Sequence, residues 1–158
     1  MVHIELSSRG RDTIALEMPD ISYFSTNRSG GLEENCWEAE NKLLTYRISD
    51  FRCRDFNVTR YQIYCKEDCC MRSLNVGNSF MGLSVVRQGI VECFLSETRD
   101  KRIWREGHTN MIVSSGIKEE RNLFRKGDTF GMTSILVSPD FFQHLSERYT
   151  AVSYTHLR

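Results

Sequence analysis

The sequence predicts a mostly β domain closed by one helix, and three observations carry that prediction. From Thr45 onward, aromatic and β-branched residues alternate with polar ones in many short runs of roughly even spacing. Gly89, Gly116 and Gly127 each fall between two such runs, where a turn is needed. The alternation then yields, at "SPDFFQHLSERY", to a helical period. Many short strands at even spacing point to a closed or sandwiched all-β body. A length of 158 residues supports one domain with a real core, and not two of ordinary size.

Before Thr45 the pattern is least legible. "EMPDISYFST" reads as a strand introduced by Pro19, with Ile21, Tyr23 and Ser25 on one face, and "NRSGG" as the turn behind it. "LEENCWEAENKLL" has the propensity of a short helix and equally fits an irregular excursion. Then "TYRISDF" and "VTRYQIYC" alternate, "KED" interrupts, and "CCMRSLNV" follows. This predicts a strand and a hairpin, with Cys65 and Cys69 near the ends of adjacent strands. "SFMGLSVVRQGIVECFLSE" gives the clearest hairpin, runs 80–86 and 90–95 joined by "RQG", whose Gly89 can take positive φ. "TRDKR" turns the chain, "IWREG" and "NMIVSS" supply two short strands, and Gly116 marks another turn. "RKGDTFGMTSILVS" is the last long strand, behind the Gly127-Asp128 turn and bent at Gly131. Ser138 is a good N-cap, Pro139 suits the first helical position, and Asp140 favours the positive end of the helix dipole. Phe141, Phe142, Leu145 and Tyr149 share one helical face, which packs on the β body or on a second copy.

Composition narrows the function classes. Lys plus Arg number 21 and Asp plus Glu number 21, so no net positive field exists to hold a polyanion by counterion release. No apolar run is long enough for a signal-peptide core or a membrane span, so a cytoplasmic chain without a membrane partner is expected. That demotes the sequons "NRS" and "NVT". In that compartment Cys36, Cys53, Cys65, Cys69, Cys70 and Cys93 are expected as free thiols. A zinc site needs four ligands, usually in two close pairs, and Cys65 with Cys69 or Cys70 supplies one pair. Structural thiols are the favoured reading, and metal or redox sensing by Cys65, Cys69 and Cys70 is the alternative.

No enzyme signature appears. His3, His108, His144 and His156 are scattered, without a His-x-His pair or a His-Glu-x-x-His helix. Glycine fingerprints for nucleotides and a Gly-x-Ser-x-Gly elbow are missing too. Phe80, Phe94, Trp104 and Phe130 lie on predicted strands, where they fill a barrel interior or line a ligand pocket. His108, beside Glu106, is either a ligand contact or a solvent-exposed loop residue, since a general base needs a defined partner.

The stretches "SFMGLSVVRQGIVECFLSE", "GHTNMIVSSG" and "FRKGDTFGMTSILVSPDFFQHLSERY" resemble the amino-terminal sensor domain of AraC-family transcriptional regulators, and within it the PchR-like branch of siderophore regulators. The likeness covers about residues 45 to 149 and, more weakly, "EENCWEAEN". It implies a cupin-like antiparallel β-barrel or sandwich over residues 1–149, followed by a C-terminal α-helix. It further implies a small-molecule effector such as a siderophore or iron chelate, with Phe80, Phe94, Trp104, His108 and Phe130 as ligand-binding candidates. A homodimer through Phe141, Phe142, Leu145 and Tyr149 is implied as well, with DNA bound only by a later helix-turn-helix domain. Cupin enzymes carry His-x-His with a later Glu and His on their strands, and these are lacking here. A non-enzymatic sensor without a cofactor or metal is therefore expected; a stand-alone metal-dependent cupin enzyme and a cysteine-based sensor are the alternatives. "VSYTHLR" resembles translated sequencing-adapter read-through. Residues 150–158 are accordingly expected to be a non-native tail, and the DNA-binding half to be cut off.

Overall fold

The structure, a computed structural model, describes residues 3–8, 11–16, 31–76, 80–96, 101–114 and 117–148. Two antiparallel sheets face each other. One runs in the order β2 (Arg11–Leu16), β1 (His3–Ser8), β6 (Cys69–Val76), β11 (Ile117–Phe124), β8 (Ile90–Leu95), β9 (Lys101–Arg105). The other runs β10 (Thr109–Ser114), β7 (Phe80–Gln88), β12 (Thr129–Val137), β5 (Phe56–Cys65), β4 (Leu44–Arg52), β3 (Glu33–Glu40). From β5 to β12 the chain changes sheet at every connection except β8 to β9, which is the double-sheet jelly roll that cupins share. The helix α1 (Pro139–Arg148) follows β12 directly. The mostly β, cupin-like body with a C-terminal helix is therefore what this chain forms.

Alternation places the core between the sheets. β4 is buried at every second residue, Leu44, Tyr46, Ile48, Asp50 and Arg52. Ile63, Cys65, Val86, Val91, Phe124 and Phe130 close the apolar end, where the Phe130 ring meets Phe124 edge-on at 6.0 Å. Opposite the Gly131–Met132 step β7 carries one extra residue, Arg87, while β12 pairs with β5 without interruption, so the irregularity lies on β7 and not on β12, where a bend at Gly131 was expected. Phe141 N–H donates to Ser138 Oγ at 3.2 Å, so Ser138 caps α1 as expected. Phe141 and Phe142 are half-buried and no α1 side chain is fully buried. Tyr149, the 150–158 tail, "EMPDISYFST", most of "NRSGG", the start of "TRDKR" and the Gly116 turn lie outside the described residues.

Three further expectations change. "SFMGLSVVRQGIVECFLSE" is not a hairpin, because β7 pairs with β10 and β12 while β8 pairs with β9 and β11 in the opposite sheet. The same holds across "KED", which joins β5 to β6 on opposite sheets. Alternation reports which face of a strand is buried and not which strand is its neighbour, and two strands lining one interior from opposite sides alternate like a hairpin. "LEENCWEAENKLL" is no helix; its Glu33–Glu40 stretch is β3, turning Asn35, Trp37 and Ala39 inward against β4. Helix propensity loses there to cross-strand pairing with a fully formed neighbour.

The strands β1, β2 and β11 escaped the sequence reading; β1 and β11 carry charges at the outward positions Glu5, Glu119 and Arg121, whereas β2 exposes Thr13 and Ala15. Those charges pair across strands. Arg72 reaches Glu5 at 3.2 Å and Glu119 at 2.8 Å, tying β6 to β1 and to β11. Hydrogen bonds from Arg72 and Arg121 hold the Glu119 carboxyl down to about 2, against an ordinary 4.5. Its folded value is depressed, so the stabilisation is complete above 4.5 and is lost as pH falls toward 2. Glu119→Gln is expected to lower the urea midpoint at neutral pH, with the gap to the parent closing by about pH 2. A gap that stays constant through that range would show that the charge is not the cause.

Candidate functional site

The interior away from the apolar end is polar, and strand register arranges it. Across the second sheet Asn35 pairs with Asp50, Asp50 with Thr59, Thr59 with Ser134, Ser134 with Ser84, and Ser84 with Asn110. One polar residue per strand thus forms a continuous row over β3, β4, β5, β12, β7 and β10. Strand pleating turns all of them to the interior face. Asp50, Thr59, Ser134 and Ser84 are buried.

At the β4–β5 end of the row sits a charged knot. Arg52 Nε donates to Asp50 Oδ2 at 2.7 Å, and Nη2 lies 2.6 Å from the same oxygen. Asn57 Nδ2 and Thr59 Oγ1 both donate to Asp50 Oδ1, the latter at 3.1 Å. Asp50 is 2% exposed and Asn57 1%, and both carboxylate oxygens are met by protein donors. The Arg52 guanidinium also lies 5.7 Å from the Trp37 ring centre. Farther along the row, Ser84 Oγ and Ser134 Oγ share a 2.8 Å hydrogen bond.

The first sheet answers with its own polar group. Asn122 Nδ2 donates to Glu120 Oε1 at 2.8 Å, and Cys93 Sγ donates to the same oxygen at 3.6 Å. Burial, and then the Glu120 charge, push the Cys93 thiol well up. Tyr61 responds to Glu120 from one sheet and Asp50 from the other. Burial first, then those two carboxylates, hold its phenol far above the ordinary value, and the hydrogen bond with Thr59 opposes them only in part. The Tyr61 hydroxyl therefore stays a donor at any physiological pH. Asn110 Nδ2 is buried without a hydrogen-bond partner among the described residues, which leaves an unused donor at the end of the row. Such an interior can recognise a small molecule bearing both donors and acceptors.

A cupin-type metal does not fit this interior. Histidine is missing from the row and from the group facing it, and the Asp50 carboxylate is engaged by Arg52, Asn57 and Thr59. Among the described residues no three His, Cys, Asp or Glu side chains gather as a metal-holding group.

The sequence-derived candidates lie apart from one another. Phe130 and Trp104 are buried in the core, Phe94 faces outward beside Cys70 and Leu123, and His108 is exposed in the β9–β10 turn. Phe80 begins β7, and its side chain lies outside the described residues. Cys65 and Cys69 end β5 and begin β6, and their thiols hydrogen-bond each other. That bond eases loss of one proton and opposes the second, so Cys65 is held high while Cys69 is lowered. Cys70 faces the other way, and burial raises it. Asp50, Arg52, Asn57, Thr59, Ser84 and Ser134 were not singled out from sequence. A signal existed, since Asp50 and Arg52 continue the parity of Tyr46 and Ile48 and so had to point into the core.

The sequence matches no protein-family model and no curated protein. Solved structures do match in shape. A Cupin 2 conserved barrel domain protein from Salinispora arenicola CNS-205 aligns over 85% of this chain and 99% of its own, at 10% identity and a TM-score of 0.43. The Cupin_2 domain of an XRE family transcriptional regulator from Enterobacter cloacae aligns over 52% and 82%, at 13% identity and 0.40. Ectoine synthase from P. lautus aligns over 63% and 67%, at 11% identity and 0.40. The expected non-enzymatic role is corrected on this point, because an enzyme stands beside a regulator domain among the similar structures and neither role follows from the shape. Among the described residues no helix is long and apolar enough to cross a membrane.

Proposed function

We propose that this chain is the effector-binding and dimerisation domain of an AraC-type cytoplasmic transcriptional regulator, taking up a small polar molecule in its barrel. The observation that carries the reading is the polar row from Asn35 to Asn110, with Tyr61 beside it on the same sheet and Glu120 and Asn122 on the sheet across from it. Burying so many polar groups costs stability that an apolar interior would not, which is the mark of a recognition site. The row also lies at the end from which α1 departs. Asn57, which grips Asp50, is two residues from Asp55, whose carbonyl accepts the Ser138 N–H at 3.0 Å. A ligand that competes for Asp50 and Asn57 would move the turn that seats the α1 cap. The siderophore or iron-chelate effector belongs to the PchR-like resemblance, and the hydroxyl and amide groups of the row suit a hydroxyl- or amide-bearing ligand.

A thermal-melt panel tests the reading. Ferric hydroxamate and catecholate chelates, sugars, polyols and amino acids are added singly to the purified chain. At least one class is expected to raise Tm by several degrees in a saturable way. A flat response across the panel would count against small-molecule uptake. In parallel, Ser84→Ala with Ser134→Ala is expected to leave stability within about 1 kcal/mol of the parent, because both partners of one hydrogen bond are removed together.

A further inference from the structure

Beside charged and polar rows, the outer face of the second sheet carries one apolar stretch. Register aligns Met111 with Leu83, Leu83 with Ile135, Ile135 with Val58, and Val58 with Phe51. Two residues along, Val113 aligns with Met81, Met81 with Val137, and Val137 with Phe56. These are two adjacent rows without a single charged or polar side chain. Several of these side chains stand exposed: Met111 is 66% exposed, Val113 63%, Ile135 44% and Leu83 41%, while Phe51, Val58, Met81 and Val137 are half-buried. A contiguous apolar face of this kind on a globular domain marks an interaction surface.

We infer that a second copy of this chain docks face to face on the rows Met111–Leu83–Ile135–Val58–Phe51 and Val113–Met81–Val137–Phe56, with α1 at their rim. This rests on the homodimer reading above and assigns it to a surface. Three features favour a second copy. An apolar sheet face can pack on the same face of a second copy, as aligned sheets do at about 10 Å apart. The chain carries 21 basic and 21 acidic residues, so two copies do not repel through net charge. Footprint is the third. Five strands about 4.8 Å apart and two rows about 6.8 Å deep cover roughly 300 Å². α1 leaves β12 at Val137, touches β7, and adds a strip of roughly 150 Å². Two copies then bury roughly 900 Å², close to the roughly 1,000 Å² at which a specific interface begins. A reversible dimer is the consequence.

Light scattering on the full chain over a wide concentration range tests this, with the variants Leu83→Lys/Ile135→Lys and Leu145→Glu. The parent is expected to move from one to two chain masses as concentration rises. The sheet-face variant should stay at one mass with an unchanged circular dichroism spectrum, and Leu145→Glu, which alters only the rim, should still reach two, at a higher concentration than the parent. If the sheet-face variant dimerises while Leu145→Glu does not, the inference is overturned and the helix alone is the interface. If the parent is monomeric throughout, the homodimer reading fails as well. Peroxide oxidation of Met111 in the unmodified chain gives a readout that needs no variant: several-fold slower oxidation at dimer concentrations is expected, and equal rates would overturn the inference.

Discussion

Asp50→Ala is expected to destabilise the protein by about 3–5 kcal/mol, the usual cost of leaving one partner of a buried ion pair alone. The carboxylate is the hub of the charged knot. Its removal takes the carboxylate partner from the Arg52 guanidinium, 6% exposed, and leaves the Asn57 amide without the acceptor it donates to. A loss of that size is a large share of a typical domain's stability, so the urea midpoint should fall steeply. Removing charge and counter-charge together separates the ion pair from mere packing. Asp50→Ala with Arg52→Met should recover a substantial part of the loss, since a buried pair replaced by apolar side chains is often close to neutral. Equal losses in the single and double variants would mean that the knot is not held by its charges.

Gly89→Ala should be nearly as damaging, for a backbone reason. Gly89 has φ +81°, and a Cβ there would overlap the Thr129 carbonyl oxygen at the start of β12. Left-handed backbone costs an L side chain about 1–2 kcal/mol, and a clash with fixed backbone adds roughly 1–3 more. Gly107 and Gly127 supply the internal control, with φ +80° and +83° but open space where the Cβ would go. Alanine at either should cost only the conformational part, about 1–2 kcal/mol. If all three alanine variants lose the same amount in thermal denaturation, the close approach of Thr129 contributes nothing.

These two residues also show what the sequence made legible. Gly89 was recognisable as a turn, because a polar tripeptide between two alternating runs needs one. Its partner Thr129 lies forty positions on, and only the alternation of sheets brings it there. The helix cap at Ser138 was legible because every determinant is local. Strand pairing was not, since β7 and β8 bury the same parity whether they neighbour each other or face each other. The polar row stayed hidden for a related reason. Asp50, Thr59, Ser134 and Ser84 each look like one polar residue in a strand, and only register makes them a line. The aromatic residues drew attention by size, yet Phe130 and Trp104 went to the core and Phe94 to the outer face.

Calorimetric titration of whichever panel compound raises Tm, into the parent chain and into the Ser84→Ala/Ser134→Ala variant, tests the polar row as a binding site. Saturable binding to the parent, with affinity reduced at least tenfold in an equally stable variant, is the predicted result. Binding of equal strength to both chains would contradict it, because the ligand would then sit somewhere other than the row.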